Sequence, residues 1–96
     1  MFAAIRYYRA DPDSLESVFR RVREGFVPLV RETPGFVAYF VMHPRPGEMV
    51  SVSVFEERRG AEESNEKAEE WVSLNLSELL PSPEFAEGEV VVYEAR

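Results

Sequence analysis

The chain has 96 residues and no cysteine, which fits one small domain and excludes disulfides, thiolate metal ligation and cysteine nucleophiles. Its net charge of −7 repels phosphate backbones, so nucleic acid is not an expected partner. The hydrophobic share is 45 %, yet no apolar run approaches the ~20 residues that span a bilayer, and the N-terminus carries no basic leader, so a cytoplasmic protein without membrane contact is expected.

Phe2 to Arg9 is aromatic and β-favouring and reads as a first strand. Asp11-Pro12-Asp13-Ser14 reads as a helix start, with Asp13 and Glu16 spaced as a capping box. Leu15, Val18, Phe19, Val22, Phe26, Leu29 and Val30 then recur at helical spacing, and Pro28 predicts a bend between Gly25 and Pro28. Thr33-Pro34-Gly35 ends this helix. Phe36 to His43 and Glu48 to Phe55 read as strands joined by the Pro44–Gly47 turn into a hairpin. A second helix is expected from the Glu56–Gly60 lead-in to about Leu80, with Ala61, Ala68, Trp71, Val72, Leu76 and Leu79 on its apolar stripe. Pro81 and Pro83 stop it, Phe85 anchors a connector, and Glu89 to Glu94 reads as the last strand. The order β-α-β-β-α-β over residues 1–96 predicts a single α+β domain of ferredoxin-like plan, an antiparallel sheet with both helices on one face.

The strands do not alternate apolar with polar, as a sheet with one wet face would. Ala3, Ile5, Tyr7, Val50, Val52 and Val54 are read as the helix-covered set. The opposite set is Phe2, Arg6, Tyr8, Phe36, Phe40, Met42, Met49, Ser51, Ser53 and Phe55. Leaving six or so large apolar side chains in water would forgo about 10 kcal/mol, comparable to a domain's whole net stability. This second set is therefore expected to form the interface of a homodimer, with Arg6 paired to a carboxylate such as Glu94 or one from the second subunit.

The Thr33-Pro34-Gly35-Phe36 opening of the second strand, the hairpin ending Val50-Ser51-Val52-Ser53-Val54-Phe55-Glu56, and the Ala- and Glu-rich helix after it carry a family resemblance. Over nearly its whole length the chain resembles the antibiotic biosynthesis monooxygenase-like proteins of the dimeric α+β barrel superfamily. The resemblance implies two sheets face to face in a dimer, with a pocket between each sheet and its own helices. Some such proteins are cofactor-free oxygenases of aromatic polyketides, others degrade haem, and many have no known reaction. The haem-degrading kind use an Asn on the first strand and a Trp and a His on the second helix. Here the first strand reads Ile5-Arg6-Tyr7, and the helix positions that correspond are Ser64 and Asn75, so haem cleavage is not expected.

The candidate pocket residues are Tyr7, Tyr39, Ser64, Trp71 and Asn75. Asn75 interrupts the second helix's apolar stripe and must bond either a neighbouring backbone group or a ligand, and Ser64 raises the same question. Trp71 is either core or the wall of an apolar pocket, and the tyrosine hydroxyls either reach solvent or bind a phenolic substrate. His43 is the only histidine, no aligned carboxylates accompany it, and neither a metal nor a cofactor is expected. Two functional readings follow: a cofactor-independent oxygenase of a small aromatic substrate, or a non-enzymatic ligand-binding or assembly module of the same fold. Tight packing beneath the helices favours the second. A cavity of roughly 300 Å³ lined by Asn75 and a tyrosine favours a small apolar or aromatic ligand.

Overall fold

Four strands and the helical segments between them follow the expected order in the computed structural model, which describes residues Met1–Arg96. β1 (Phe2–Arg9) leads through a short 3-10 turn, Pro12–Ser14, into α1 (Leu15–Arg21). The helix then widens into a π-turn at Val22–Phe26 and continues as α2 (Val27–Arg31). β2 (Phe36–Met42), β3 (Glu48–Phe55), α3 (Arg58–Asn75) and β4 (Glu84–Glu89) complete the chain. The strand order is β2-β3-β1-β4, with every neighbouring pair antiparallel. This is the α+β, ferredoxin-like βαββαβ fold.

The first helix begins one step earlier than the capping box suggested. Asp11 rather than Asp13 makes the capping bond, and it caps the 3-10 turn that leads into α1, its carboxylate accepting from the Asp13 N–H at 3.0 Å, with Pro12 in the first turn where no N–H is needed. The bend at Pro28 takes the form of the π-turn. Proline offers no N–H and its ring would crowd the carbonyl four residues back, and the wider turn closes instead on a bond from the Val27 N–H to the Val22 carbonyl. With that adjustment Leu15, Val18, Val22, Phe26 and Val30 all stay on the core side, while Leu29 is 38 % exposed.

The sheet's faces lie the other way round from the sequence reading. Across the strands, Phe85, Arg6, Ser51 and Val41 stand in one row, and Glu87, Ala4, Ser53 and Tyr39 in the next. These rows, with Phe2, Tyr8, Met49, Phe55 and Phe36, lie beneath the helices. Ala3, Ile5, Tyr7, Val50, Val52 and Val54 form the open face with Ala38, Phe40 and Met42. Of the residues assigned to a dimer interface, Phe2, Arg6, Tyr8, Phe36, Met49, Ser51, Ser53 and Phe55 therefore belong to the helix side. Phe40 and Met42 are on the open face, 52 % and 50 % exposed.

The reason lies in α3. Its inward residues are small: Gly60, Ala61, Ser64 and Ala68 are all buried. A helix with such a face approaches the sheet closely and suits large side chains opposite. A Cβ at Gly60 would sit 2.8 Å from the Phe55 ring. A register irregularity in β2 between Phe36 and Ala38 re-phases that strand, so Phe36 and Tyr39 share the helix side despite their odd spacing.

Near the C-terminus two elements end earlier than the sequence suggests. α3 stops at Asn75 rather than Leu80. Leu76 leaves the helical region and accepts from the N–H groups of Leu79 and Leu80, which turns Leu76 and Leu80 both into the core. β4 is Glu84–Glu89, with Phe85 inside it rather than in a connector, because β1 pairs from Phe2↔Glu89 to Tyr7↔Glu84. Beyond one further bond, from the Val90 N–H to the Met1 carbonyl at 2.8 Å, β1 has no residues left to pair. Val91 and Val92 run past the sheet 84 % and 86 % exposed. No helix is long and apolar enough to cross a membrane.

Candidate ligand site

The side chains between the helix-covered sheet face and the helices come from β1, β2, β3 and α3. β1 contributes Arg6 and Tyr8, both buried, two residues apart and so on one face. β2 contributes Tyr39, whose ring meets Phe26 edge-on at 5.5 Å. Phe26 in turn packs against Trp71 of α3 at 5.7 Å. Gly25 makes room for the indole, since a Cβ there would lie 2.8 Å from it. The helical stripe thus brings an aromatic line, Tyr39–Phe26–Trp71, over the two β1 side chains.

Little room is left at the centre. The gap bounded by Arg6, Tyr8, Tyr39, Ser51 and Trp71 is about 20 Å³. It adjoins a larger cleft of about 590 Å³ on the β4 side, walled by Arg6, Tyr8, Val72, Leu80 and Phe85 and rimmed by Glu69. A separate cleft of about 310 Å³ runs along β2, with Phe19, Val22, Tyr39, Phe40 and His43 in its wall. His43 is exposed and meets the Phe19 ring at 5.2 Å. No group of three or more His, Asp or Glu is placed to hold a metal ion.

The electrostatics are those of charge and phenol held away from water. Burial lowers the Arg6 guanidinium below its ordinary range, against the opposing pull of Tyr8, Tyr39, Glu69 and Glu87. Burial raises the Tyr8 hydroxyl, with Arg6 acting the other way. Burial also pushes Tyr39 up to about 12. Both phenols are therefore neutral hydrogen-bond donors at ordinary pH. The carboxylate expected for Arg6 is not in place: Nη2 has no hydrogen-bond partner, and the guanidinium lies over the Phe85 ring, 5.6 Å from its centroid.

Of the five pocket candidates, Tyr39 and Trp71 come together here. Ser64 is buried further along α3, where its hydroxyl donates to that of Ser53 at 3.4 Å. Tyr7 points to the open face beneath Arg9, whose guanidinium lies 5.2 Å from the ring centroid. Asn75 is exposed at the end of α3, its Nδ2 donating to the Trp71 carbonyl at 2.9 Å while its own carbonyl accepts from Arg21 at 3.3 Å. It lines none of these spaces, because the helix ends at this residue and the amide turns back on its last turn. On the same helix Lys67 Nζ donates to Thr33 Oγ1 at 3.0 Å. Arg6 and Tyr8, expected at the dimer interface, border this space instead. The sequence did carry a signal for them, namely the small stripe of α3, which calls for the aromatic and polar strand set opposite it.

No family model matches the sequence, and no curated protein matches it. Solved structures do. The NE2512 protein of unknown function from Nitrosomonas europaea superposes with a TM-score of 0.77 at 18 % identity, covering 99 % of this chain and 93 % of that one. An antibiotic biosynthesis monooxygenase gives 0.74 at 20 % identity over 96 % of this chain and 100 % of the other. SnoaB, a cofactor-independent oxygenase from Streptomyces nogalater, gives 0.71 at 16 % identity over 96 % and 94 %. At these identities the likeness is one of fold: over its full length the chain shares the fold of the antibiotic biosynthesis monooxygenase-like proteins.

Proposed function

We propose, from the fold shared with those oxygenases, that this chain binds a small aromatic ligand in the cleft between β1, β4 and α3 and works as a cofactor-independent oxygenase. The observation that carries the reading is the pair of tyrosines, Tyr8 buried and Tyr39 half-buried, set among Phe26 and Trp71 around the small gap that adjoins that cleft. An electron-rich substrate such as an anthrone supplies the electrons itself. One atom of the oxygen molecule becomes the new carbonyl oxygen at the ring methylene and the other leaves as water with the two methylene hydrogens, giving the quinone. The chain's part is to exclude water and to donate hydrogen bonds to the substrate oxygen. We also propose that a second copy of the chain covers the open face, on which Ile5 is 43 % exposed beside Phe40 and Met42.

Oxygen uptake and quinone absorbance with anthrone as substrate test the reaction. Turnover above the uncatalysed rate is expected, falling at least about tenfold in Tyr8→Phe, the ordinary range for losing one positioned donor or more. No turnover above buffer would remove the enzymatic reading. One observation favours the alternative, a ligand-binding or assembly module: the gap directly beneath the helices is only about 20 Å³, so a bound ring must lodge in the outer cleft or part the Leu76–Pro83 segment. Ligand binding without turnover is the outcome that module predicts.

A further inference from the structure

Arg6 sits in the middle of β1, where strand pairing is complete on both sides, opposite Ser51 on β3 and Phe85 on β4. It is 3 % exposed, and its Nη2 has no hydrogen-bond partner. A guanidinium taken out of water without a counter-charge works against folding, and proteins ordinarily pair such groups. Each charged or titratable group facing it is otherwise disposed. Glu87 on β4 accepts from Asn65 Nδ2 at 3.3 Å, Glu69 on α3 is exposed at the rim, and Tyr8 and Tyr39 are neutral phenols. The same guanidinium forms part of the wall of the 590 Å³ cleft, whose apolar side is Val72, Leu80 and Phe85 and whose other side is polar, with Ser73, Ser77, Ser82 and Glu69. A buried positive group beside an apolar wall suits a ligand with one charged end and one hydrophobic face.

We infer that the cleft takes a small aromatic anion, its negatively charged oxygen paired with the Arg6 guanidinium and its ring lying along Phe85, Val72 and Leu80. The inference rests on reading the cleft as a ligand site and adds the ligand's charge; it does not depend on turnover. Planar guanidinium and planar carboxylate or enolate match in shape as well as charge. Glu69 at the rim opposes the anion, so affinity is limited by that residue and rises when its charge is removed.

Calorimetric titration with 2-naphthoate and with its neutral isostere 2-naphthamide tests this on the intact chain. The anion is expected to bind at least about tenfold more tightly, as a charge-assisted hydrogen bond implies. Arg6→Met should abolish the preference, Arg6→Lys should keep part of it, and Glu69→Gln should strengthen naphthoate alone. Ligand-free Arg6→Met should melt at or above the wild-type temperature, because it removes an unpaired buried charge. Equal binding of the two probes, or a preference that survives Arg6→Met, would overturn the inference while leaving the cleft as a ligand site. A large drop in the melting temperature of Arg6→Met would overturn it too, by making the guanidinium part of the protein's own bonding. If neither probe binds, the ligand-site reading fails first and the inference with it.

Discussion

The helix-covered face of the sheet holds Arg6, Tyr8, Ser51 and Ser53, all buried, whereas the open face holds Ile5, Val50, Val52, Val54, Phe40 and Met42. The polar groups of the helix side are thus shut away from water, whereas those of the open face, Tyr7, Arg9, Glu48 and Glu84, lie at one end of an apolar middle. Stability alone would favour the reverse, since each buried polar group must find a partner and each exposed aliphatic one forgoes its transfer energy. In the proposed function the two faces do different work: ligand binding under the helices, and association on the bare side.

The sharpest way to break this contrast is to charge the bare side. Val52 lies at its centre, between Ile5 of β1 and Phe40 of β2. In a twofold dimer Val52→Asp places two carboxylates in the interface and removes two apolar contacts. With roughly 1.5 kcal/mol lost per side chain and tenfold per 1.4 kcal/mol, the dimer dissociation constant should rise about a hundredfold or more. Sedimentation across a concentration series reads this directly. A wild-type chain that stays monomeric at high concentration, with this face hydrated, would end the association half of the comparison.

The phenols beneath the helices give the next effect. Tyr39 is held near 12 against an ordinary value of about 10, and Tyr8 is raised as well. A phenol raised in the folded state stabilises it below the unfolded value and loses that contribution as pH climbs through the folded one. Between about pH 10 and 12 the unfolded chain binds fewer protons than the native one, so stability falls with pH. For Tyr39 the loss is about 2 to 3 kcal/mol across that window. Ultraviolet titration should show Tyr8 and Tyr39 ionising late. Ionisation of both in the ordinary phenol range would mean that water reaches the helix side.

Much of this was legible in the sequence, and what was not has definite causes. Element order, the limits of β1 and β3 and the turn at Gly47 follow from alternation and turn chemistry, Gly47 holding a φ of +83° as its place in the hairpin requires. Alternation, however, divides a strand into two sets without saying which lies inside, and choosing the more aliphatic set reversed the sheet. The bulge in β2 was hidden because Phe36 to Met42 is apolar at almost every position, so a skipped residue leaves no break in pattern. Asn75 misled for a related reason: helical spacing carried it onto the stripe, but the helix ends there. Val90 to Tyr93 has strand composition, yet a strand needs a neighbour, and register along β1 is a long-range property that the segment does not contain.

The smallest effect tests whether the buried hydroxyls on the helix side hold the fold together. Ser64 Oγ donates to Ser53 Oγ at 3.4 Å, a long bond between side chains 0 % and 1 % exposed. Replacing either serine by alanine leaves the other hydroxyl buried without a partner, at a cost of about 1 kcal/mol. Replacing both removes the two orphans together, so Ser53→Ala/Ser64→Ala should lie within about 0.5 kcal/mol of wild type despite carrying both changes. Denaturant unfolding of the four chains in this cycle measures the difference. A double variant no better than the sum of its parts would mean that each hydroxyl has a further partner. A nearly neutral double variant would show that the helix side tolerates becoming as apolar as the open one at this end of the sheet, and would leave Arg6, Tyr8 and Tyr39 as the polar groups whose burial packing does not explain.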